Sequence, residues 1–366
     1  MRWSARTVAG LVSAAVVAAL LPFGLSAPAQ AAIGTCSGTP VVTVWDGQDL
    51  TTAVGSLCPG DTLQIPSGTY SIGYLRFVKN FAYTGTFRPG TAALPITVTA
   101  QDPANPPLLL GGLQFTGADY WRISNLRVQA TVANLSALYM NNGIGWIVSG
   151  CEFFGARQTN AMANVVISGS GGQPSRFVFK GNRVHGGAKS TRADTTDHNI
   201  YVNFRGTTGS GGSIVRNVVW DTPHGAGIKL GNGGAYNALG PRNVVVALNT
   251  IATSGRQILL HGNVSYLRIY GNLFYRATQR FVADTRTTQI YVHDVTGIKN
   301  SIDYNYAYGS TLFTYDPKKR ATYLKNRLSN LAAYNPQFTS VGTTVLFANN
   351  PVAKPYGAYG TGLWAK

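Results

Sequence analysis

One pattern returns about every thirty residues through the middle of the chain. A β-branched or aromatic run ends in Asn and is followed by a further apolar pair: RISNLRV around Asn125, FVFKGNRV around Asn182, SIVRNVVW around Asn217, VVALNTI around Asn249, RIYGNLF around Asn272 and IDYNYAY around Asn305. VSGCEFF puts Cys151 in the same slot. Successive slots lie 26, 31, 35, 32, 23 and 33 residues apart, a mean of 30, inside the ~20–50 range of stacked repeat units. A chain built this way buries its apolar faces against its own neighbouring repeats, so a solenoid is expected.

A second column lies between these segments: SALYMNN (136–142), ANVVISG (163–169), HNIYVNF (198–204), AGIKLGN (226–232), RQILLHG (256–262) and TQIYVHD (288–294). Each alternates, with inward pairs Leu138/Met140, Val165/Ile167, Ile200/Val202, Ile228/Leu230, Ile258/Leu260 and Ile290/Val292. Two strands per coil recur in one phase, and the spacing leaves no room for a crossover helix. A βαβ sheet is thereby excluded, and parallel strands stacked coil on coil are predicted. The repeated Asn would form a ladder, each side-chain amide bonding the next at the ~4.8 Å strand spacing.

Composition agrees. The chain is 45% hydrophobic and 12% charged, with 43 Gly and 17 Pro among 366 residues, so it buries a core and turns often. Acids are scarce, twelve Asp and the single Glu152, which counts against an EF-hand or a large carboxylate cage. Residues 1–31 pair Arg2 and Arg6 with an apolar run from Val8 to Leu25 and end in Ala29-Gln30-Ala31, the pattern of a secretory signal peptide cut after Ala31. No later stretch has the ~18 consecutive apolar residues of a spanning helix. The domain is then expected over 32–366, secreted, without a membrane anchor and monomeric, with 28 basic against 13 acidic side chains, a charge of +15. A basic extracellular protein seeks anionic glycans or wall polymers. Nucleic acid is not expected, because no groove-binding or strand-binding motif is present. In an oxidising compartment Cys36 and Cys58 are expected to pair near the new N-terminus, leaving Cys151 as a buried thiol.

The strings LTTAVGSLCPGDTLQIPSGTY (50–70) and GTAALPITVTAQDPANPPLLLGGLQFTGADYWRISNLRV (90–128) carry a resemblance. They resemble the first coils of right-handed parallel β-helix proteins of the pectate lyase-like superfamily, including chondroitinase B-like and alginate lyase-like members. The resemblance implies an all-β, single-stranded right-handed parallel β-helix with an N-terminal cap and coils over 45–310. Residues 311–366 would form a C-terminal cap, KKRATYLKNRLSNLAAY as a short basic helix and the rest as loops over the last coil.

The outward residues of the second column would form rows along the axis. The middle row is Tyr139, Val166, Tyr201, Lys229, Leu259 and Tyr291. One flank carries Ala137, Asn164, Asn199, Gly227, Gln257 and Gln289, the other Asn141, Ser168, Asn203, Gly231, His261 and His293, with His198 and Arg256 just before their strands. Tyr139, Asn199, Asn203, Gln257, His261, Tyr291 and His293 suit a sugar chain, through ring stacking and hydrogen bonds to hydroxyls and carboxylates. The resemblance implies β-elimination, in which a base takes the proton next to a uronate carboxylate while a cation neutralises that carboxylate. Lys229 is the predicted base and Arg256 the cation that lowers its pKa and grips the carboxylate. His198, Tyr201 and His224 are the predicted donors to the leaving oxygen. The carboxylate-rich calcium site of chondroitinase B-like enzymes is absent from the pattern.

Two alternatives stand beside the lyase. An inverting glycoside hydrolase would use acids among Asp194, Asp221 and Asp284, with Asp221 and Asp284 two coils, or about 9.6 Å, apart. A glycan-binding or wall-associated protein would use the same tyrosines without a base. No cofactor is certain; calcium is possible at Asp194, Asp197 and Asp221, although Asp197 suits better the orientation of His198.

Overall fold

The computed structural model describes residues 36, 38–79, 85–159, 161–169, 174–187, 198–204, 211–232, 240–278, 280–281, 284–340 and 346–360. Residues 1–31, and with them the expected signal peptide, lie outside the described residues, as do Asp194 and Asp197.

The strands stack as the periodicity predicts, but each full coil carries three faces rather than two. On the first face, Trp121–Ser124, Ile147–Ser149, Ser175–Lys180, Gly211–Val215, Val244–Ala247, Arg268–Tyr270 and Asn300–Asp303 pair in chain order, all parallel. On the second, Arg127–Ala130, Glu152–Phe154 and Arg183–His185 lead to the start of the long strand Val218–Leu230. Thr250–His261, Leu273–Tyr275 and Tyr306–Tyr308 continue it. The third face holds Leu138–Asn141, Ala163–Gly169 and His198–Phe204, then the ends of the two long strands, then Asp284–His293 and Leu312–Tyr315. The run before each repeated Asn is thus a first-face strand and the apolar pair after it a second-face strand. With the strands of all three faces paired in coil order, the described chain is nearly all β and forms a parallel β-helix.

The corner between these two faces explains why Asn recurs. Asn182 Nδ2 donates to Asn217 Oδ1 at 3.1 Å, Asn217 to Asn249 at 2.9 Å, Asn249 to Asn272 at 3.0 Å and Asn272 to Asn305 at 2.9 Å. Each Oδ1 also accepts the backbone N–H of the residue one coil before, and each Nδ2 donates to a first-face carbonyl, so one side chain satisfies the corner. Cys151 occupies the slot, its N–H donating to Asn182 Oδ1 at 3.0 Å. Asn125 does not. The register that aligns Arg127 with Glu152 puts Leu126 in the slot, and Asn125 is the residue before it, at φ 55°. That preceding position is left-handed in each later coil of the ladder as well: Gly150, Gly181, Arg216, Leu248, Gly271, Tyr304 and Lys325.

The C-terminal region departs from expectation. Where a basic helix is predicted, Ala321–Leu324 and Arg327–Ser329 add another turn to the first and second faces, and only Ala332–Tyr334 is a 3-10 turn. The ladder and the open sheet edge outweigh helix propensity: Asn305 N and Nδ2 both donate to Asn326 Oδ1, at 2.9 and 3.0 Å. The tail then runs back along the second face, where Ala353, Val352 and Tyr356 pack with Leu273 and Tyr306, and Ala358 N–H donates to Thr250 Oγ1.

At the other end, Asp49 caps the short helix Leu50–Ser56, whose Leu50 and Val54 enter the core. Cys36 and Cys58 are disulfide-bonded as expected, and Cys151 is a buried free thiol. Among the described residues no helix is long and apolar enough to cross a membrane.

Candidate functional site

On the third face the side chains opposite the core-facing pairs form an outward row in direct register: Gln114, Tyr139, Val166, Tyr201, Lys229, Leu259, Tyr291 and Tyr315; Leu259 lies outside the main core yet is fully covered, and Val166, Tyr201 and Lys229 are nearly so. Alternation placed six of these from the sequence. Tyr315 was missed because its strand lies past the expected last coil. Outside the main core, Ala163, Val166 and Tyr201 form a small apolar cluster with Tyr139 against it.

Lys229 sits within this row with only 7% of its surface exposed. Its ammonium lies 4.9 Å from the centre of the Tyr201 ring, a cation–π contact. Burial lowers its pKa from 10.5 to about 8. The cause is desolvation rather than the Arg256 charge that the sequence reading invoked, since Arg256 leans the other way along the axis, its guanidinium 4.8 Å from the Tyr291 ring centre. Arg256 is itself buried, on the coil after Lys229 and in register with Ala226. Burial, then the neighbouring Tyr139, raises the Tyr201 hydroxyl above its usual range, so it stays protonated.

The predicted flank divides. Asn199 and Gln257 are fully buried, not outward. Asn164 Nδ2 donates to Asn199 Oδ1 at 2.8 Å, Asn199 Nδ2 to Trp220 O at 2.7 Å and Gln257 Nε2 to Tyr275 O at 3.1 Å. The strand bends where the second face meets the third, so simple alternation fails there. Consecutive side chains such as Asn199 and Ile200 both turn inward, and the amides satisfy corner carbonyls. His198 is also fully buried, with Nδ1 accepting from Ala226 N–H at 3.1 Å, and its ring lies 5.7 Å from that of Tyr201. Asn203 and His224 are half-buried.

Of the three acids of the hydrolase reading, Asp194 lies outside the described residues. Asp221 pairs with Arg157 at 2.7 Å. Asp284 begins its strand in a local antiparallel pairing with Phe281.

On the other flank, His261 and His293 are direct register partners with rings 4.5 Å apart. Tyr291 Oη and His293 Nδ1 share a 2.7 Å hydrogen bond, and His293 Nε2 lies 3.5 Å from Asp294 Oδ2. Lys318 reaches the other carboxylate oxygen at 3.3 Å. Burial first, then the His293 and Lys229 charges, lowers the His261 pKa to about 4. His261, His293 and Asp294 each bring one ligand atom within 4.8 Å of the others. Calcium takes six to eight oxygens, and this nitrogen-rich trio does not fit it. Asp294 went unnoticed in the sequence, though the signal was there: two repeat strands end in His, and the second His is followed by Asp.

No family model and no curated protein matches the chain. Solved structures do. Alginate lyase from Paenibacillus sp. str. FPU-7 is 15% identical, with 79% of this chain and 99% of that one covered, at a TM-score of 0.45. Pectate lyase Pel9A is 13% identical, over 80% and 78%, at 0.44. The chain is similar to pectate lyase-like β-helix proteins. PfbA, a surface adhesin of Streptococcus pneumoniae, is 12% identical over 83% and 94%, at 0.39. At these scores the likeness adds nothing about chemistry, and the β-helix assignment rests on the strand register itself.

Proposed function

We propose that this β-helix is a secreted lyase of acidic, uronate-containing polysaccharide. One observation carries the reading: a lysine in the outward row has its amine lowered to about 8 by burial, close enough to neutral pH to serve as a base. Deprotonated Lys229 Nζ takes the proton on the carbon next to the uronate carboxylate. The electron pair moves to form the new carbon–carbon double bond as the glycosidic oxygen leaves, and the proton that oxygen needs comes from the Tyr201 hydroxyl. Arg256 neutralises the carboxylate while negative charge develops there. Tyr139, Tyr291 and Asn203 line the sugar path, and the +15 charge of the secreted form draws the anionic polymer.

The experiment incubates the secreted form with a panel of uronate polymers and follows absorbance near ~232 nm, where an unsaturated uronate absorbs. We expect absorbance to rise and the rate to climb with pH through about 8 as Lys229 loses its proton. Lys229→Met should lower kcat by about 10²–10⁴. Undiminished activity in that variant overturns the base assignment. Reducing ends without absorbance would make the protein a hydrolase, and binding without either product would make it a glycan-binding protein.

A further inference from the structure

His261, His293 and Asp294 form a group that the elimination chemistry leaves unused. We infer that they form a three-ligand site for a late first-row divalent cation of the zinc class, set on the third face beside the row that holds Lys229 and Tyr291.

The two imidazoles come from adjacent coils in direct register, so the β-helix itself sets their separation. Asp294 follows His293 at φ 46°, in the turn that ends the strand, and its carboxylate already lies 3.5 Å from His293 Nε2. Bonds of about 2 Å to one ion hold donors roughly 3–4 Å apart. The three ligand atoms already lie within 4.8 Å of one another, and the Asp294 side chain, 56% exposed, has room to rotate towards the imidazoles.

Two further observations point to a ligand. The Tyr291 hydroxyl engages His293 Nδ1 and holds the ring with Nε2 towards Asp294, the outer contact that orients metal-bound histidines. His261 Nδ1 is buried without a hydrogen-bond partner among the described residues, and such an orphaned ring nitrogen is costly unless something uses its lone pair. Two imidazoles with one carboxylate select zinc and its neighbours over calcium or magnesium. Three protein ligands leave a position open to an oxygen donor.

The test needs no substrate, so its outcome is independent of the lyase reading. Untagged secreted protein, stripped with a chelator, is titrated with Zn2+ by calorimetry and with Co2+ by visible absorption. One equivalent of each should bind, with the intense d–d bands of a four- or five-coordinate Co2+ site, and Ca2+ should not compete. Asp294→Asn, at an exposed position that does not threaten folding, should weaken binding by about tenfold or more, as should His293→Gln. Lys318→Ala should leave binding intact or tighten it a few-fold by freeing the Asp294 carboxylate. Absence of stoichiometric binding, equal affinity for Ca2+, or indifference to both Asp294→Asn and His293→Gln would overturn the site.

Discussion

Glu152, the single glutamate of the chain, is 4% exposed on the second face. Its carboxylate receives Arg127 Nε at 2.6 Å, His185 Nε2 at 3.2 Å and Arg183 at 3.3 Å. Burial alone would raise its pKa, yet the His185 and Arg127 hydrogen bonds and the two arginine charges together bring it from 4.5 down to about 2. A carboxylate held low in the folded state stabilises fully above its unfolded pKa and loses that contribution as pH falls through the folded value. Urea melts of the native protein should therefore weaken between about pH 4.5 and 2, and Glu152→Gln should flatten that limb while costing about 2–3 kcal/mol at pH 7. Lys229 has the opposite sign. Its folded pKa lies below the unfolded one, so its burial is a penalty at neutral pH that fades between about 8 and 10.5. Lys229→Met is accordingly expected to raise stability at pH 7 by about 2 kcal/mol while removing activity, a trade-off read by melts and assay on the same sample. Burial also drives the Cys151 thiol up to about 12, which predicts no reaction with thiol reagents until the protein unfolds.

At the scale of the element, the Asn corner is the unit of stability. Asn249 accepts from Asn217 N and Nδ2 and donates to Ile214 O and Asn272 Oδ1, all buried. Asn249→Ala strands several of these groups at once, and at ~1–3 kcal/mol for each buried group left unpaired the loss should exceed about 3 kcal/mol in denaturant titrations. The left-handed residue before each slot is the geometric partner of that ladder. Glycine fills it at Gly150, Gly181 and Gly271, while Leu248 and Tyr304 hold it at φ 57° and 54°, a strain of ~1–2 kcal/mol each that the ladder offsets. Asn182 through Asn305 were legible as a ladder because spacing and apolar context recur together. Asn125 was misplaced by one residue for the same reason: its string carries the Asn in the turn position, and only strand register separates the two.

For the whole molecule, the Cys36–Cys58 bridge closes a 22-residue separation at the N-terminal end. Chain-entropy estimates put such a loop at about 3 kcal/mol, so reduction should lower the Tm, measured by calorimetry with and without reductant. The tail has a comparable fastening role at the other end. Truncation before Asn335 would uncover Leu273 and Tyr306, and it should lower stability more than removal of an exposed loop of that length.

The sequence by itself determined the coil stack, the ladder and most of the outward row, because each depends on a period that repeats along one chain; the cysteine pairing followed instead from the number and position of the cysteines. Alternation within a strand and a thirty-residue return both survive as local patterns. Tertiary structure alone decided where alternation breaks: at the corner that turns His198, Asn199 and Gln257 inward, and at the sheet edge that draws 321–329 into a further coil. It also decided that burial, not Arg256, lowers the Lys229 amine, and that Asp294 joins His261 and His293. Desolvation and the meeting of side chains from adjacent coils depend on distances across the stack, and those distances exist only once the register is formed.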